Sequence, residues 1–144
     1  MNANNSYAER NSGVNIGEQL FEEYCNSKKL FIRKLGFDEK NDSIPNFYSL
    51  NPFIRNIPDY FVLGNKGPKL VNIKGTANFK DYEITLLPQF MEWYSTKECP
   101  LIYAFCFRGQ NIPTFRTPDQ VIELYRQATD KQWSDGVKYR TLEL

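Results

Sequence analysis

The sequence predicts an α/β fold, a single domain in which a mixed central β-sheet is flanked by helices. Segments with helical spacing of apolar residues alternate along the chain with short apolar, β-branched runs, the pattern of a sheet covered by helices. Two of the β-rich runs flank a turn containing glycine and proline, which predicts a hairpin and hence antiparallel strands. The 144 residues, 41% hydrophobic and 15% aromatic, suffice for one sizeable core, since a chain of this length buries about 68–70% of its unfolded surface. Two independent domains would be cramped. The expected division is a flexible N-terminal arm, polar and rich in Asn, over residues 1–13, followed by one domain over 14–144.

The elements follow in order. From Val14 to about Cys25, Ile16, Leu20, Phe21 and Tyr24 recur at helical spacing, with Asn15 as N-cap and Glu18 three positions on. Leu30 to Phe37 reads as a strand. Asp38 to Pro58, with Asn, Asp, Ser and three prolines, reads as a long loop, and loops of that length usually serve a function or wrap another element. Asp59–Gly64 and Lys69–Lys74 form the hairpin strands around Gly64-Asn-Lys-Gly-Pro68. Gly75 to Asp81 is a loop. Glu83 to Ser95 places Ile84, Leu87, Phe90, Met91 and Tyr94 on one helical stripe, and Pro88 is able to move the helix start to itself. Leu101–Phe107 is a continuous apolar run, the best buried strand. Thr117-Pro-Asp-Gln opens a last helix with Pro118 in its first position. From Asp130 onward the chain is polar and no element is predicted.

Charge and residue usage then exclude chemistries. Eighteen basic and seventeen acidic residues give a formal charge of +1, so attraction to phosphate must come from a local patch. There is no histidine, which removes Ser-His-Asp and Cys-His catalysis and histidine-held metal sites together. Carboxylates, lysine, tyrosine, a metal or a cofactor must carry any reaction. Cys25, Cys99 and Cys106 are odd in number and far from a CxxC spacing, so neither a disulfide framework nor structural zinc is expected. No run approaches the length of a membrane span, and an intracellular, cytoplasmic setting without membrane partners is expected.

One constellation rises above this background. Pro58-Asp59 opens the first hairpin strand, and thirteen residues after Asp59 comes Asn72-Ile-Lys74, which closes the second. Residues i and i+2 of a strand share a face, so Asn72 and Lys74 project together while Ile73 turns into the core. The hairpin brings Asp59 close to them. Glu18 and Glu22 lie one turn apart on one face of the preceding helix. Singly, Asp59 reads as a turn aspartate, Lys74 as a solvated strand end, Asn72 as a polar turn residue and the glutamates as a wet helix face. Their joint order carries the signal.

That order resembles the PD-(D/E)XK nuclease superfamily, which includes Holliday-junction resolvases, restriction enzymes and repair nucleases. The resemblance spans roughly Gly17 to Phe107, and Gly75-Thr76 looks like the family's Lys-Gly or Lys-Ser ending. It implies a restriction-endonuclease-like αβββαβ core and a metal-dependent endonuclease that hydrolyses phosphodiester bonds in DNA, including branched or structured DNA, with RNA left open. Carried over by position, Asp59 is the central ligand of Mg²⁺ or Mn²⁺, Lys74 the catalytic lysine, and Glu18 or Glu22 the helix carboxylate. Asn72 departs from the pattern by standing where the family has a second acid. Its amide oxygen can ligate Mg²⁺ but brings no charge. Small relatives often work as homodimers.

Further candidates are positional. Arg55, before Pro58-Asp59, and Lys80, after the motif, are placed to meet a nucleic acid backbone, and Gln89 lies where some relatives carry a glutamine facing the site. Lys28, Lys29, Arg33 and Lys34 form a basic run that either touches phosphate or is a solvated surface. Phe47, Tyr48 and Phe53 either stack on bases or pin the long loop to the body. Two other readings compete: a degenerate module that keeps the fold and binds nucleic acid or a protein without cleavage, and an unrelated α/β domain that binds a protein partner.

Overall fold

The computed structural model describes residues 16–37 and 49–144. The expected N-terminal arm, the Asn15 cap, Phe47 and Tyr48 lie outside these residues. The first helix, α1, covers residues 16–27 and buries Phe21 and Cys25 with partly buried Leu20 and Tyr24 beside them. It ends in a left-handed residue, Lys29 (φ 57°), after which the Leu30 N–H reaches back to the Cys25 carbonyl at 3.0 Å. This is a Schellman-type stop that normally favours glycine.

β1 (Phe31–Lys34) follows, shorter than the expected strand. A short helix, α2 (Pro52–Arg55), interrupts the region read as loop. Asn51 accepts a hydrogen bond from the Phe53 N–H at 2.9 Å, and Pro52 sits in the first turn. Phe53 pins this helix to the body by stacking on Tyr94 with ring centroids 5.1 Å apart.

The hairpin forms as expected, β2 (Tyr60–Gly64) against β3 (Gly67–Lys74), but its turn is only Asn65-Lys66. Gly67, at φ 97°, supplies the left-handed conformation that the tight turn requires. Pro68 falls inside β3 opposite Leu63. It is tolerated there because Gly64↔Gly67 closes the hairpin, so the next pair directs its N–H away from β2, and β5 begins only opposite Leu70.

After β3 come β4 (Asn78–Phe79), α3 (Asp81–Thr85), α4 (Leu87–Tyr94), β5 (Leu101–Phe105), β6 (Thr114–Arg116) and α5 (Pro118–Gln127). The helix expected over 83–95 is therefore two helices. Pro88 cannot donate a backbone hydrogen bond and its ring crowds the preceding turn, so the chain restarts at Leu87 with proline in the first turn of α4. Thr117 caps α5 by accepting from the Gln120 N–H at 3.2 Å, and Gln120 returns the bond to the Thr117 N–H at 2.9 Å.

Five strands form the main sheet in the order β1-β2-β3-β5-β6, with β3 and β5 parallel and every other pair antiparallel. One face carries Tyr60, Val62, Val71, Ile73 and Ala104 under α1. The other carries Tyr103 and Phe105 under Leu87 of α4 and Val121 and Tyr125 of α5. The C-terminal region, where no element was expected, forms β7 (Asp130–Gln132) and β8 (Lys138–Thr141), which join β4 in a second, three-stranded sheet. Arg140 anchors it through Asp130 at 2.7 Å and the Tyr125 carbonyl at 3.0 Å. Among the described residues no helix is long and apolar enough to cross a membrane.

Candidate active site

The hairpin register determines the site. Tyr60 pairs with Val71, which sets Asp59 across from Asn72 on the same face of the sheet. The Ile73 N–H donates to Asp59 Oδ2 at 2.7 Å, so the carboxylate continues the ladder where β2 ends. The Asp59 backbone carbonyl in turn accepts from the Leu35 N–H at 2.9 Å. Asp59 is thus held by the strands on both sides of it.

Asn72 and Lys74 project to the face opposite buried Ile73, as their spacing required. The parallel register places Asn72 beside Tyr103, and its amide offsets part of the rise of the Tyr103 hydroxyl. Burial, followed by the charges of Glu83 and Asp59, pushes the Tyr103 hydroxyl far above the usual tyrosine range. Lys74 extends its ammonium over the Phe79 ring, 4.3 Å from the centroid, and pairs with Glu83 Oε1 at 3.3 Å. Glu83 Oε2 accepts from the Lys80 N–H at 2.7 Å, capping α3.

Glu83 and Tyr103 are the site residues that sequence reasoning missed. A glutamate three residues into a helix carries only a capping signal, and Tyr103 was read as one more apolar position in a buried strand. Only the β3–β5 pairing puts it next to Asn72.

The two α1 glutamates diverge. Gly17 packs so closely on the end of β3 that a Cβ there would lie 3.0 Å from the Gly75 Cα and 3.3 Å from Ile73 Cγ2. This glycine contact brings the first turn of α1, and with it Glu18, to the Asp59 corner. Glu18 acts on Asp59 electrostatically and pairs with Lys34 at 3.5 Å. Glu22 instead accepts a hydrogen bond from the Tyr60 hydroxyl on the α1 face.

These surroundings lift the Asp59 carboxyl from its ordinary 3.8 to about 6. Burial is the largest cause. The Ile73 N–H opposes it, Glu18 reinforces it, and Lys34 and Lys74 offset part of the rise. A carboxylate in such a position gains from a nearby cation.

The remaining candidates are dispersed. Lys28 and Lys29 sit at the C-terminal end of α1, Arg33 lies over the Phe31 ring at 5.9 Å, and Lys34 is engaged with Glu18. The basic run is thus divided between a helix end and an edge strand. Lys80 reaches over Tyr82 at 5.6 Å, and Gln89 bonds Glu92 on its own helix at 3.4 Å. Arg55 closes α2. Among the described residues no group of three or more His, Cys, Asp or Glu side chains converges in a way that could hold a metal. Comparison with family models, with curated proteins and with solved structures gave no match to this chain.

Proposed function

We propose that this chain is a metal-dependent nuclease with a restriction-endonuclease-like core, hydrolysing phosphodiester bonds in DNA. The observation that carries this reading is the juxtaposition made by the hairpin. Asp59 stands opposite Asn72, Lys74 follows two residues on, and Glu18 reaches the same corner from the preceding helix. With α2 and β4 set aside, the order α1, β1, β2, β3, helices and β5 is compatible with the αβββαβ core that the resemblance implies.

Asp59 would hold Mg²⁺ or Mn²⁺, with the Asn72 amide oxygen and Glu18 beside it. The donor set is lean, but Mg²⁺ is commonly bound by one or two carboxylates plus waters and substrate phosphate oxygens. The raised Asp59 carboxyl is a group whose charged form a cation would favour. A bound divalent ion would supply charge neutralisation on the phosphate and a lowered pKa for a water. Lys74, steadied by Glu83 and the Phe79 ring, would place its ammonium against the scissile phosphate. None of these roles needs histidine.

The test is cleavage of plasmid, single-stranded and four-way-junction DNA, and of RNA, with Mg²⁺ or Mn²⁺. Wild-type cleavage that disappears in Lys74→Ala supports the enzyme. A second reading draws on Asn72, which stands beside Tyr103 and brings no charge: a module that binds nucleic acid without cutting. Binding without cleavage by either protein would establish that reading instead.

A further inference from the structure

A separate cavity of about 620 Å³ lies on the α1 face of the sheet, toward the hairpin turn. It is within the size range of small-molecule sites. Its walls are Phe21, Leu30, Val62, Val71, Ile102 and Phe115, contributed by α1, the hairpin, β5 and β6. Tyr24 and Phe115 close one side, their ring centroids 6.1 Å apart.

The mouth has a different chemistry. Lys28, Lys66 and Lys69 line it, and no Asp or Glu is among the lining residues. In a chain with eighteen basic and seventeen acidic residues, this segregation is not a consequence of composition. Arg116 pairs with Tyr103, on the other face of the sheet, and its guanidinium donates to the Phe115 carbonyl at 2.7 Å and to the Leu144 carbonyl, so it is not part of the head-group site. Thr117 and Gln120, also at the mouth, are occupied with each other in the α5 cap. Beside the Asn65 amide and the Tyr24 hydroxyl, which also line the cavity, the charge on offer is positive.

The cavity is distinct from the Asp59 corner. Asn72 and Lys74 project to the opposite face, and Lys69 precedes Lys74 by five positions on β3, about 17 Å along a strand.

We infer that this cavity binds an amphipathic monoanion, a long-chain carboxylate with its hydrocarbon body against the aliphatic and aromatic walls and its head group among Lys28, Lys66 and Lys69. The charge at the mouth matches such a head group, and the apolar interior matches a tail rather than a nucleobase, which would need donors and acceptors along the walls.

Isothermal titration of the full chain with decanoate, decanol and decyltrimethylammonium tests this. Decanoate should bind, decanol about tenfold or more weaker and the cation not measurably, a tenfold change corresponding to about 1.4 kcal/mol. Lys66→Gln/Lys69→Gln, on the surface and without burden on folding, should weaken decanoate binding by about tenfold, half to all of the head-group preference. Ile102→Trp should fill the cavity and remove binding, with circular dichroism showing that the fold is kept. The inference is overturned by absence of decanoate binding, by equal binding of decanoate and decanol, or by affinity untouched in the double lysine variant. Co-sedimentation with phosphatidylserine vesicles in the absence of decanoate binding would mean a membrane-surface patch and would likewise overturn it.

Discussion

Replacing Asp59 with Asn should make the metal-free protein more stable at pH 8 and leave it nearly unchanged near pH 3.5. The carboxyl rises from 3.8 to about 6 in the fold. Below 3.8 it is neutral in both folded and unfolded chains, and its favourable neutral form is fully counted in folding. As pH climbs through about 6, the folded state must carry a charge that burial disfavours, and that stability is lost. A shift of about two pH units is worth about 3 kcal/mol. The asparagine oxygen can still accept from the Ile73 N–H, and the advantage that this bond gives the charged form is already contained in the net rise, so the gain stays at about 3 kcal/mol. For a chain of this size that raises Tm by about 6–12 °C. Calorimetry at pH 3.5, 6 and 8 measures it. Mg²⁺ provides the second arm: at ten times its Kd it should stabilise the wild type by about 1.4 kcal/mol and leave Asp59→Asn unmoved. An Asp59→Asn protein less stable than wild type at pH 8 would refute the reasoning, because the carboxylate would then be held as a favoured anion.

Asn72→Asp adds a carboxylate beside Asp59, so Mn²⁺ affinity measured by titration calorimetry should rise, and an unchanged affinity would place any metal elsewhere. Glu83→Gln keeps an acceptor for the Lys80 N–H but removes the charge opposite Lys74, whereas Glu83→Ala loses both. Cleavage should fall in both, while only the alanine variant should also lose about 1 kcal/mol in urea denaturation. Arg55→Ala and Lys80→Ala should weaken DNA binding and reduce its salt slope by about one, with near-normal turnover at saturating DNA. Gly17→Ala forces a Cβ to 3.0 Å from Gly75 Cα and should cost about 1–2 kcal/mol despite alanine's better helix propensity, with Mn²⁺ affinity lowered as Glu18 is displaced.

The elements that sequence made legible are those with a strong apolar period. α1, the hairpin, β5 and α5 each show it, and each is present. β7 and β8 were missed because they form a mostly exposed polar ribbon fastened by Arg140 and a Trp133–Tyr139 stack rather than by an apolar stripe. β6 and β4 are three and two residues long, too short to show a period. At the site, strand alternation sufficed to put Asn72 and Lys74 on one face, and hairpin pairing to bring Asp59 opposite. Choosing between Glu18 and Glu22 required the Gly17–Gly75 contact, and Glu83 and Tyr103 required packing across β3, α3 and β5, none of which leaves a spacing in the chain.

The charge at the Asp59 corner shows what Asn72 changes physically. Asp59, Glu18 and Glu83 face Lys34 and Lys74 there, a sum of −1 over these five described residues when Asp59 is ionised. An acid at position 72 would make it −2, beside a carboxyl already raised to about 6 by burial and Glu18. Like charges so placed cannot all ionise without a cation, and a corner with two uncompensated charges would be a metal site first and a phosphate site second. With an amide, a divalent cation turns the corner from −1 to +1, which matches the single charge of a phosphodiester. On the proposed function, metal and DNA would then each favour the other's binding, since either one alone leaves the corner charged. On that reading, Asn72 would shift the site toward binding metal together with substrate, at the expense of holding metal alone.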